Sequence, residues 1–491
     1  MKKYIYLFLA LCLLGAAYFI FPLKTEKGRV KLIDGKFELN KEPFYPVALN
    51  YIISVQSNQH SFWATSCKDY QPNFKYNFSD KLTAQKQLRA EMKLIKELGF
   101  NTVRLVGMGE AIVNEKNNNQ LAIRAFNINT QDTLINLEND SIYDQYFNEI
   151  NDLFTIIEEA GLKVIFLVKI SPVTEDTKRF LRKFSNFFRN NTTLLAVDVF
   201  NEPLYFDKPE KEKKEVYDIV KDWRKTIKMY APNLLVTIGL EGIREVFRWD
   251  PTILDVDFIS YHPYEYEPEQ VRNEIYWYGK YTEKPWIIGE TAIPANNDSI
   301  TYEAQRIFAK KTLEQTYNCG GVGYSWWHYK DVDWHKYHAN FMGILTWEGQ
   351  TLTANKESVY GTIKPLAKAF VNYTVPTKKD SCICLDNYYN YTNGKEFRIV
   401  GTILNEQQKP IEGAVILAWN ENWTHSYHTI TKADGSFELL GTYPFYHWIT
   451  SAVKHSTIRG DINPDTARVA THIPTINLGK LKVEYLPFIK K

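Results

Sequence analysis

The sequence predicts an α/β fold, a (β/α)8 barrel followed by a small all-β sandwich domain. Three observations support this prediction. Between residues 29 and 374, eight apolar runs typical of buried strands alternate with helix-like segments. That number of strands, and the length of chain that holds them, match an eight-stranded barrel with an outer ring of helices. After Asn372 the pattern changes to short alternating strands with turn signals, which is typical of a sandwich.

The elements of the predicted barrel follow one another with few gaps. Gly99 and Gly161 each end a helix, as glycine commonly does. Two loops, 52–80 and 107–141, are longer than a minimal barrel needs. The predicted strands are Lys41–Asn50, Asn101–Val106, Leu162–Val168, Leu194–Glu202, Asn233–Ile238, Asp257–Tyr264, Pro285–Thr291 and Gly321–His328. Between them, helices are predicted at Leu82–Leu98, Tyr146–Ala160, Lys211–Met229 and Glu303–Tyr317.

The pattern of the first 24 residues predicts a signal peptide or an N-terminal membrane anchor. Residues 4–23 are uncharged and mostly apolar, follow two lysines, and are about long enough to span a bilayer. Cleavage after the small residues 15–17 would leave an apolar, aromatic new terminus, which favours an uncleaved anchor over a cleaved signal. In either case we expect the rest of the chain to be exported, either anchored to the membrane or secreted or periplasmic.

Two of the predicted strands end in a glutamate. Glu202 stands in Asn201-Glu202-Pro203, and Glu290 ends the apolar run that begins at Trp286. The C-terminal ends of barrel strands share one rim, so both carboxylates fall there. Such a pair can supply the proton donor and the nucleophile, or base, that glycosidic bond cleavage requires. Taken alone, Glu202 could equally be a helix N-cap or a surface ion-pair carboxylate. The presence of a second strand that also ends in a glutamate favours a catalytic role.

Other strand ends add polar and aromatic side chains to the same rim. Arg104 lies between two apolar residues, so its charge needs a carboxylate partner. That partner is either Glu290, which the positive charge would keep ionised, or another acid in a structural ion pair. His262 and Tyr264 are two residues apart and so point the same way, and the Tyr264 hydroxyl could donate to Glu290. Trp326 and Trp327 end the eighth strand. At least one of them is expected to stack on a sugar ring, and the other to pack between the barrel and its helices.

Composition narrows the range of partners. The formal net charge of +2 gives no overall field for nucleic acid, and none for an anionic membrane surface. No two His or Cys pairs stand near one another at ligand spacing, so we expect no metal and no cofactor. Four cysteines lie beyond the N-terminal segment, too few for a disulfide framework, although a bridge from the Cys382 region remains open.

The whole set of residues resembles the retaining glycoside hydrolases of clan A, nearest to family 5, over roughly residues 30–370. The resemblance implies that Glu202 is the acid/base and Glu290 the nucleophile of a double displacement on a β-linked polysaccharide or oligosaccharide. It also implies a set of substrate-side residues. They are Asn201 on the sugar 2-hydroxyl, Arg104 and Tyr264 holding Glu290, His262 lining the subsite, Trp327 (or, with a one-residue shift, Trp326) stacking, and Asn50 at the family's first strand.

The C-terminal part divides into a polar linker, 375–396, and a domain, 397–491. Runs at 401–404, 410–415 and 431–437 are similar to the carboxypeptidase regulatory-like domain, a prealbumin-like β-sandwich. Asp434 and Gly435 predict a tight hairpin turn. We favour a spacer or a buttress for the barrel over a carbohydrate-binding domain, although four aromatic residues suggest the latter: Trp419, Trp423, Tyr427 and Trp448.

Two other functions are compatible with the same predicted barrel. A transglycosylase would use the same site and pass the sugar to another sugar instead of water. A non-catalytic glycan-binding barrel would keep the cleft without the chemistry. The presence of both glutamates together with Asn201 and Arg104 argues against this second alternative.

Overall fold

The computed structural model describes residues 28–489 except 59–60, 71–79, 109–110, 115–119, 128–129, 169–174, 266, 335–336, 386–393 and 470–472. The predicted N-terminal signal or anchor, residues 1–24, lies outside the described residues. Within the described part of the chain, no helix combines the length and the apolar character that crossing a membrane requires.

A small antiparallel sheet precedes the barrel. It consists of β1 (Val30–Ile33), β2 (Lys36–Leu39) and β3 (Glu42–Pro43). Phe37 of this sheet packs edge-on against Phe258 with ring centroids 5.1 Å apart, in a cluster with residues near the starts of several barrel strands. The sheet therefore covers the N-terminal end of the barrel, opposite the predicted site. The predicted first strand, Lys41–Asn50, was wrong at its start, because residues 42–43 belong to this sheet.

The barrel region contains both the barrel strands with their helices and several additional strands. In chain order, its elements are β4 (Val47–Ser57), β5 (Phe62–Ser66), α1 (Lys81–Glu97), β6 (Thr102–Val106), β7 (Ala111–Asn114), β8 (Gln120–Asn127), β9 (Thr130–Asn136), α2 (Asp140–Glu159), β10 (Lys163–Leu167), α3 (Glu175–Phe188), β11 (Leu194–Asn201), α4 (Pro203–Phe206), α5 (Lys213–Tyr230), β12 (Leu235–Leu240), β13 (Ile259–Tyr261), α6 (Pro268–Tyr281), β14 (Trp286–Ile288), α7 (Tyr302–Asn318), β15 (Tyr324–Trp326), α8 (Tyr337–Asn340), β16 (Gln350–Leu352) and β17 (Ser358–Tyr360).

Eight of these strands form the closed parallel barrel, which confirms the predicted fold. They pair in the order β4, β6, β10, β11, β12, β13, β14 and β15, and β15 closes the ring on β4 with Tyr324 opposite Val47. Nearly every residue of these strands is buried, because side chains point alternately into the barrel and against the outer helices. All eight strands end at one rim, where Glu202 and Glu290 follow β11 and β14.

The helices begin where their capping residues stand. The side chain of Asp80 accepts from the backbone N–H of Thr83 at the start of α1, and Asn139 accepts from Ile142 at the start of α2. The latter cap places the start of α2 six residues before the predicted helix. Four helices were not predicted: the four-residue helices α4 and α8, and the longer α3 and α6. Of the longer two, α3 buries residues at helical spacing and α6 carries a proline in its first turn.

The two long loops contain additional strands. β4 continues past the barrel to Ser57 and pairs antiparallel with β5, and β8 joins β4 at Gln56, opposite Phe126. β7, β8 and β9 form an antiparallel meander in the second loop. These strands extend one side of the rim, beside the first and second barrel strands.

The C-terminal domain consists of two four-stranded sheets, which confirms its all-β character. The sheet orders are β21-β18-β25-β24 and β20-β19-β22-β23, and every pairing is antiparallel except that of β18 with β25. Its likeness to a carboxypeptidase regulatory-like domain stays a prediction. The strands are β18 (Phe397–Leu404), β19 (Val415–Trp419), β20 (Ser426–Ile430), β21 (Ser436–Gly441), β22 (His447–Ser451), β23 (Ile458–Asp461), β24 (Arg468–Val469) and β25 (Pro474–Lys482).

The turn at Asp434 and Gly435 is tight but does not close a two-stranded hairpin. Gly435 has φ +75°, a conformation that glycine adopts easily, and its N–H donates to the carbonyl of Lys432 at 2.8 Å. The turn joins β20 of one sheet to β21 of the other, so the hairpin prediction was wrong. Of the four aromatic residues suggested for glycan binding, Trp448 is buried in the core, whereas Trp423 is 58% exposed.

The C-terminal domain packs against the outer helices of the barrel. Lys213 of α5 is buried at this interface, where its ammonium contacts Asp250 at 3.2 Å and donates to the Ser451 hydroxyl at 2.9 Å. The indole N–H of Trp277 donates to the carbonyl of Gly413 at 3.0 Å. The contacts agree with a buttress better than with a loosely tethered module.

The segment between the domains is fastened to the barrel. A disulfide joins Cys319, at the end of α7, to Cys382. The side chain of Gln315 donates to the carbonyl of Ile383 at 2.6 Å, and the Tyr317 hydroxyl donates to that of Pro376 at 2.7 Å. Residues 376–385 therefore lie along the barrel surface, rather than forming the free linker that their polar composition indicated.

Candidate active site

Glu202 lies where the chain turns from β11 into α4. Its backbone adopts a left-handed conformation, with φ 46° and ψ 65°, which costs a non-glycine residue about 1–2 kcal/mol. Its N–H donates to the carbonyl of Gly239 at 2.8 Å, and Pro203 then begins the short helix. The side chain makes no capping hydrogen bond, although the residue occupies the N-cap position. The turn thus directs the carboxylate toward the barrel axis and away from the helix.

Glu290 follows β14 and is held on both carboxylate oxygens. Arg104 donates to Oε1, and the Tyr264 hydroxyl donates to Oε2 at 3.1 Å. Burial raises the pKa of Glu290 above its ordinary value, while His262 and Arg104 act in the opposite direction. The charge of Arg104 therefore limits the rise in the pKa of Glu290 without reversing it. This effect is weaker than the sequence-based expectation that Arg104 keeps Glu290 ionised.

The two glutamates face each other across the rim. One oxygen of each carboxylate and a ring nitrogen of His262 all lie within 4.8 Å of one another. Glu202 is the more accessible of the two, with a side chain 15% exposed against 6% for Glu290. This upper limit on the oxygen–oxygen separation is consistent with two carboxyl groups about 5–5.5 Å apart, the distance at which such a pair can work as acid and nucleophile.

Arg104 lies beneath the glutamates, completely buried, with all its donor groups engaged. Its Nε and Nη2 both contact Asp198 Oδ2, at 2.9 and 2.8 Å. Nη2 also donates to Asn201 Oδ1 at 2.8 Å, and Nη1 donates to Glu290 and, at 2.9 Å, to Asn50 Oδ1. The guanidinium thus fixes the positions of four side chains, which come from two other strands and from the turn after β14.

Asp198 was not among the predicted site residues. It is completely buried in the middle of β11, and its second oxygen accepts from the N–H of Gly239 at 3.0 Å. Its signal in the sequence is a single charged residue inside an otherwise apolar strand, four residues before Glu202. The structure therefore gives Arg104 both of the partners considered, Glu290 and a second acid.

His262 is buried between the two glutamates. Its Nδ1 is 3.1 Å from Glu202 Oε1 and 3.7 Å from Glu290 Oε1, and its Nε2 is 3.4 Å from the Ser260 hydroxyl. Burial lowers the pKa of His262 to about 4, so the ring is neutral at neutral pH. Because the ring is completely covered, His262 contacts the carboxylates and does not line an open subsite as predicted.

The two asparagines differ in access. Asn50 is completely buried, and its amide donates to the carbonyl of Gly289 at 2.8 Å and to the Ser325 hydroxyl at 2.9 Å. It therefore positions Arg104 and the turn before Glu290. Its complete burial argues against direct contact with substrate, and its place among the substrate-side residues stays a prediction. Asn201, at the end of β11, is partly exposed and stands beside Glu202.

Of the two tryptophans after β15, only Trp327 is accessible. Trp326 is completely buried, packs edge-on against Phe308 with centroids 6.1 Å apart, and donates its indole N–H to the carbonyl of Met342. It therefore belongs to the packing between the barrel and its helices, and the alternative in which it stacks on a sugar was wrong. Trp327 is partly exposed, and its backbone N–H donates to the carbonyl of Thr291 beside Glu290.

Two groups among the described residues have the donor atoms of a metal site, Glu202 with His262 and Glu290, and Glu265 with Glu274 and His428. In the first group Arg104 contacts Glu290, so a cation would face a fixed positive charge. In the second group the two carboxyls share a hydrogen bond, and Arg244 lies within electrostatic range of both. Each group thus already has an arginine side chain among its carboxylates.

Comparison with known proteins gives one family match and several similar solved structures. The sequence model of Cellulase (glycosyl hydrolase family 5) matches residues 67–331, and no curated protein matches the chain. Similar solved structures include a GH5_18 variant from Streptomyces cattleya in complex with Manb1-4GlcNAc, at 12% identity over 74% of this chain and 85% of that chain, with a TM-score of 0.46. The endo-1,4-beta-mannanase from Rhizomucor miehei shares 14% identity over 70% of this chain and 100% of that chain, with a TM-score of 0.46.

A beta-D-glucuronidase of Dictyoglomus thermophilum is also similar, at 14% identity over 71% of this chain and 54% of that chain, with a TM-score of 0.44. Likenesses at this level bear on neither substrate nor mechanism. The family match, in contrast, spans more than half of the chain and contains both glutamates. The protein therefore belongs to glycosyl hydrolase family 5 and is a glycoside hydrolase of clan A.

Proposed function

We propose that the protein is a retaining glycosidase that hydrolyses β-glycosidic bonds of a polysaccharide or oligosaccharide. The observation that carries the proposal is the approach of the Glu202 and Glu290 carboxylates to within 4.8 Å. Inverting enzymes hold their two carboxyls about 6.5–9.5 Å apart, to leave room for a water molecule between sugar and base. The shorter separation suits direct attack by one carboxylate.

In the first step Glu202, as a carboxylic acid, gives its proton to the glycosidic oxygen. The Glu290 carboxylate attacks the anomeric carbon, the bond from that carbon to the leaving oxygen breaks, and a glycosyl ester of Glu290 forms. In the second step Glu202 takes a proton from water, the water oxygen attacks the anomeric carbon, and the Glu290 carboxylate leaves. One water is consumed, and two inversions give net retention.

The surrounding groups support Glu290 as the nucleophile. Arg104 and Tyr264 each donate to one of its oxygens, so a fixed orientation and partial charge compensation are built into the site. Glu202 is more accessible and is not contacted by Arg104, which suits a residue that exchanges protons with substrate and water. The neutral His262 lies within hydrogen-bonding distance of Glu202 through Nδ1 and of the Ser260 hydroxyl through Nε2, so it can exchange a hydrogen bond with Glu202 in either of its protonation states.

The test is hydrolysis by the full chain of a panel of β-mannans, β-glucans, xylans and aryl β-glycosides, with product stereochemistry followed by NMR. We expect one substrate class to be cleaved with the β-anomer formed first. Glu290→Gln is expected to lower kcat at least about 10³-fold, in the range found for loss of a catalytic nucleophile. An α-anomer as first product would contradict retention, and substantial turnover by Glu290→Gln would contradict the nucleophile assignment.

Rescue by azide assigns the two roles separately. Azide added to Glu202→Ala should restore turnover of an aryl glycoside with an activated leaving group and give a β-glycosyl azide, because the nucleophile is intact. Azide added to Glu290→Ala should give the α-glycosyl azide, because azide then takes the place of the carboxylate. The opposite pairing of anomers would exchange the two assignments.

We also propose that the protein acts outside the cytosol, exported by its N-terminal segment. The apolar segment 4–23 and the Cys319–Cys382 disulfide both support this, because stable disulfides are typical of oxidising compartments. Cell fractionation tests the proposal, and fractionation of the active chain into the cytosol would contradict it. Recovery with membranes after a salt wash would favour an uncleaved anchor over a cleaved signal.

A further inference from the structure

Tyr205 occupies an unusual place for an aromatic side chain. It lies three residues beyond Glu202 in α4, its N–H donates to the carbonyl of Glu202 at 3.0 Å, and the residue is 52% exposed. A tyrosine exposed to this extent adds little to the core, since much of its apolar surface stays in contact with water. Its neighbours, however, hold it firmly in place.

The Tyr205 hydroxyl donates to Glu241 Oε1 at 3.0 Å. Arg244 contacts the same oxygen of Glu241 and lies 3.4 Å from the Tyr205 hydroxyl. Glu241 is buried and directly follows β12, whereas Tyr205 follows β11. The phenol ring therefore bridges the ends of two neighbouring barrel strands, with its hydroxyl end held and part of its surface open to solvent.

The Tyr205 ring and Trp327 lie on opposite sides of the barrel. β11 and β15 are the fourth and eighth strands of a closed ring of eight, so they lie on opposite sides of the barrel. Tyr205 follows the former and Trp327 the latter. The two partly exposed aromatic residues thus flank the site that Glu202 and Glu290 form, one on each side.

We propose that Tyr205 is the stacking platform for the sugar unit on the leaving-group side of the cleaved bond, an uncharged pyranose. The inference rests on the proposed function, in which Glu202 protonates the leaving oxygen. The leaving group must then lie on the Glu202 side of the site, where Tyr205 stands, and the attacked sugar lies toward Trp327. The apolar face of a pyranose packs on an aromatic ring, and a held ring loses little conformational entropy on binding.

Arg244 completes this subsite. Its side chain is 21% exposed, and its charge is compensated by Glu241, so its remaining N–H groups can donate to sugar hydroxyls without attracting an anionic sugar strongly. The platform also predicts what the enzyme prefers as a substrate. A sugar leaving group packs on the Tyr205 ring, whereas a small aryl leaving group does not depend on this contact.

The test compares Tyr205→Ala and Tyr205→Phe in the full chain on two substrates with the same attacked sugar, an oligosaccharide and an aryl β-glycoside. We expect Tyr205→Ala to lower kcat/KM at least tenfold for the oligosaccharide and less than twofold for the aryl glycoside. Tyr205→Phe keeps the ring and should lie nearer to wild type on the oligosaccharide. Tyr443→Ala, which removes an exposed ring from the C-terminal domain, should change neither value.

A second measurement uses the glycosyl-enzyme itself. When the enzyme is loaded from the aryl glycoside, an added sugar acceptor must bind on the leaving-group side, so Tyr205→Ala should lower the ratio of transfer to hydrolysis. Equal losses on both substrates, with an unchanged transfer ratio, would overturn the inference and make Tyr205 a support for Glu202. Absence of hydrolysis by the wild-type chain would instead overturn the proposed function on which the inference rests.

Discussion

Arg104 and Asp198 form a completely buried ion pair under the candidate catalytic glutamates, with Nε and Nη2 of the arginine at 2.9 and 2.8 Å from one aspartate oxygen. The pair fixes the plane of the guanidinium, and Nη1 is thereby directed at Glu290 and Asn50. A side chain in the middle of one strand thus controls the orientation of a carboxylate that follows another strand.

Asp198→Asn tests this control. The substitution leaves Arg104 with Glu290 as its only charged partner, and breaking a buried pair in this way costs about 3–5 kcal/mol of stability. We expect the free energy of unfolding in urea to fall by that amount, and kcat on an aryl glycoside to fall more than tenfold because Glu290 is then held more tightly. Asp250→Asn breaks another buried pair, with Lys213, and should lower stability while leaving kcat unchanged. A normal kcat in Asp198→Asn would contradict the positioning role.

Tyr264→Phe tests the hydrogen bond to Glu290. The tyrosine hydroxyl stabilises the charged form of Glu290, so its loss should raise the pKa of that carboxyl further. Since the nucleophile must be ionised, activity on the acidic side should fall, and the acidic limb of kcat/KM against pH should move to higher pH. Tyr261→Phe is the matched control, because its hydroxyl contacts Thr282 and no carboxylate. A limb that stays in place in Tyr264→Phe would argue against Glu290 as the titrating group.

The two neighbouring tryptophans should separate binding from folding. Trp326→Ala removes a completely buried ring and should lower the free energy of unfolding by about 3–5 kcal/mol. Trp327→Ala should leave stability within about 1 kcal/mol of wild type, since its ring is partly exposed, and should raise KM for an oligosaccharide. Urea unfolding and steady-state kinetics on both variants check this, and an unchanged KM in Trp327→Ala would remove that residue from the site.

Glu245→Gln should change how stability depends on pH. Burial raises the pKa of Glu245 to about 8 from 4.5, so the folded chain keeps a proton there that the unfolded chain loses. Wild-type stability should therefore fall as pH rises from 4.5 to 8, by as much as about 1.4 kcal/mol per pH unit from this group. Glutamine mimics the protonated form, so the variant should lose less stability over that range. Parallel curves of urea midpoint against pH for the two proteins would show that Glu245 ionises normally.

Removal of residues 376–491 tests the role of the C-terminal domain. The truncation uncovers Trp277 and leaves Lys213 without its contact to Ser451, so we expect an insoluble or unfolded barrel. Solubility and circular dichroism report the outcome. A soluble, active barrel that has lost only its adsorption to polysaccharide would show instead that the domain binds glycans.

The sequence was sufficient for the barrel and for the two glutamates because both depend on local pattern. Each strand is a short apolar run, and a carboxylate at its C-terminal end reaches the shared rim whatever the details of pairing. Asp198 was missed because its contact with Arg104 crosses the barrel past β10, which lies between their strands, and depends on barrel curvature. Trp327 was preferred to Trp326 only through the family resemblance, since a shift of one residue exchanges the inward and outward faces of a strand.

Short elements were predicted least well. β1 to β3 contain two to four residues each, too few to show an alternating pattern, and β5 and β7 to β9 lie in segments whose strands are stabilised by pairing with one another and with β4. The burial of His262 and Asn50 likewise depends on neighbours distant in sequence, so their roles beneath the site follow only from the three-dimensional structure.

The contact between Gly413 and α6 has an evolutionary consequence. Gly413 has φ +73°, and a Cβ at this position would lie 2.2 Å from the ring of Tyr281. Every missense change at codon 413 adds at least that atom, so the fit between the two domains survives only with glycine or with a compensating change in the barrel. Changes on the two sides of this contact are therefore coupled, and an exchange of the C-terminal domain for a related one would have to keep a glycine here or alter the barrel surface that faces it.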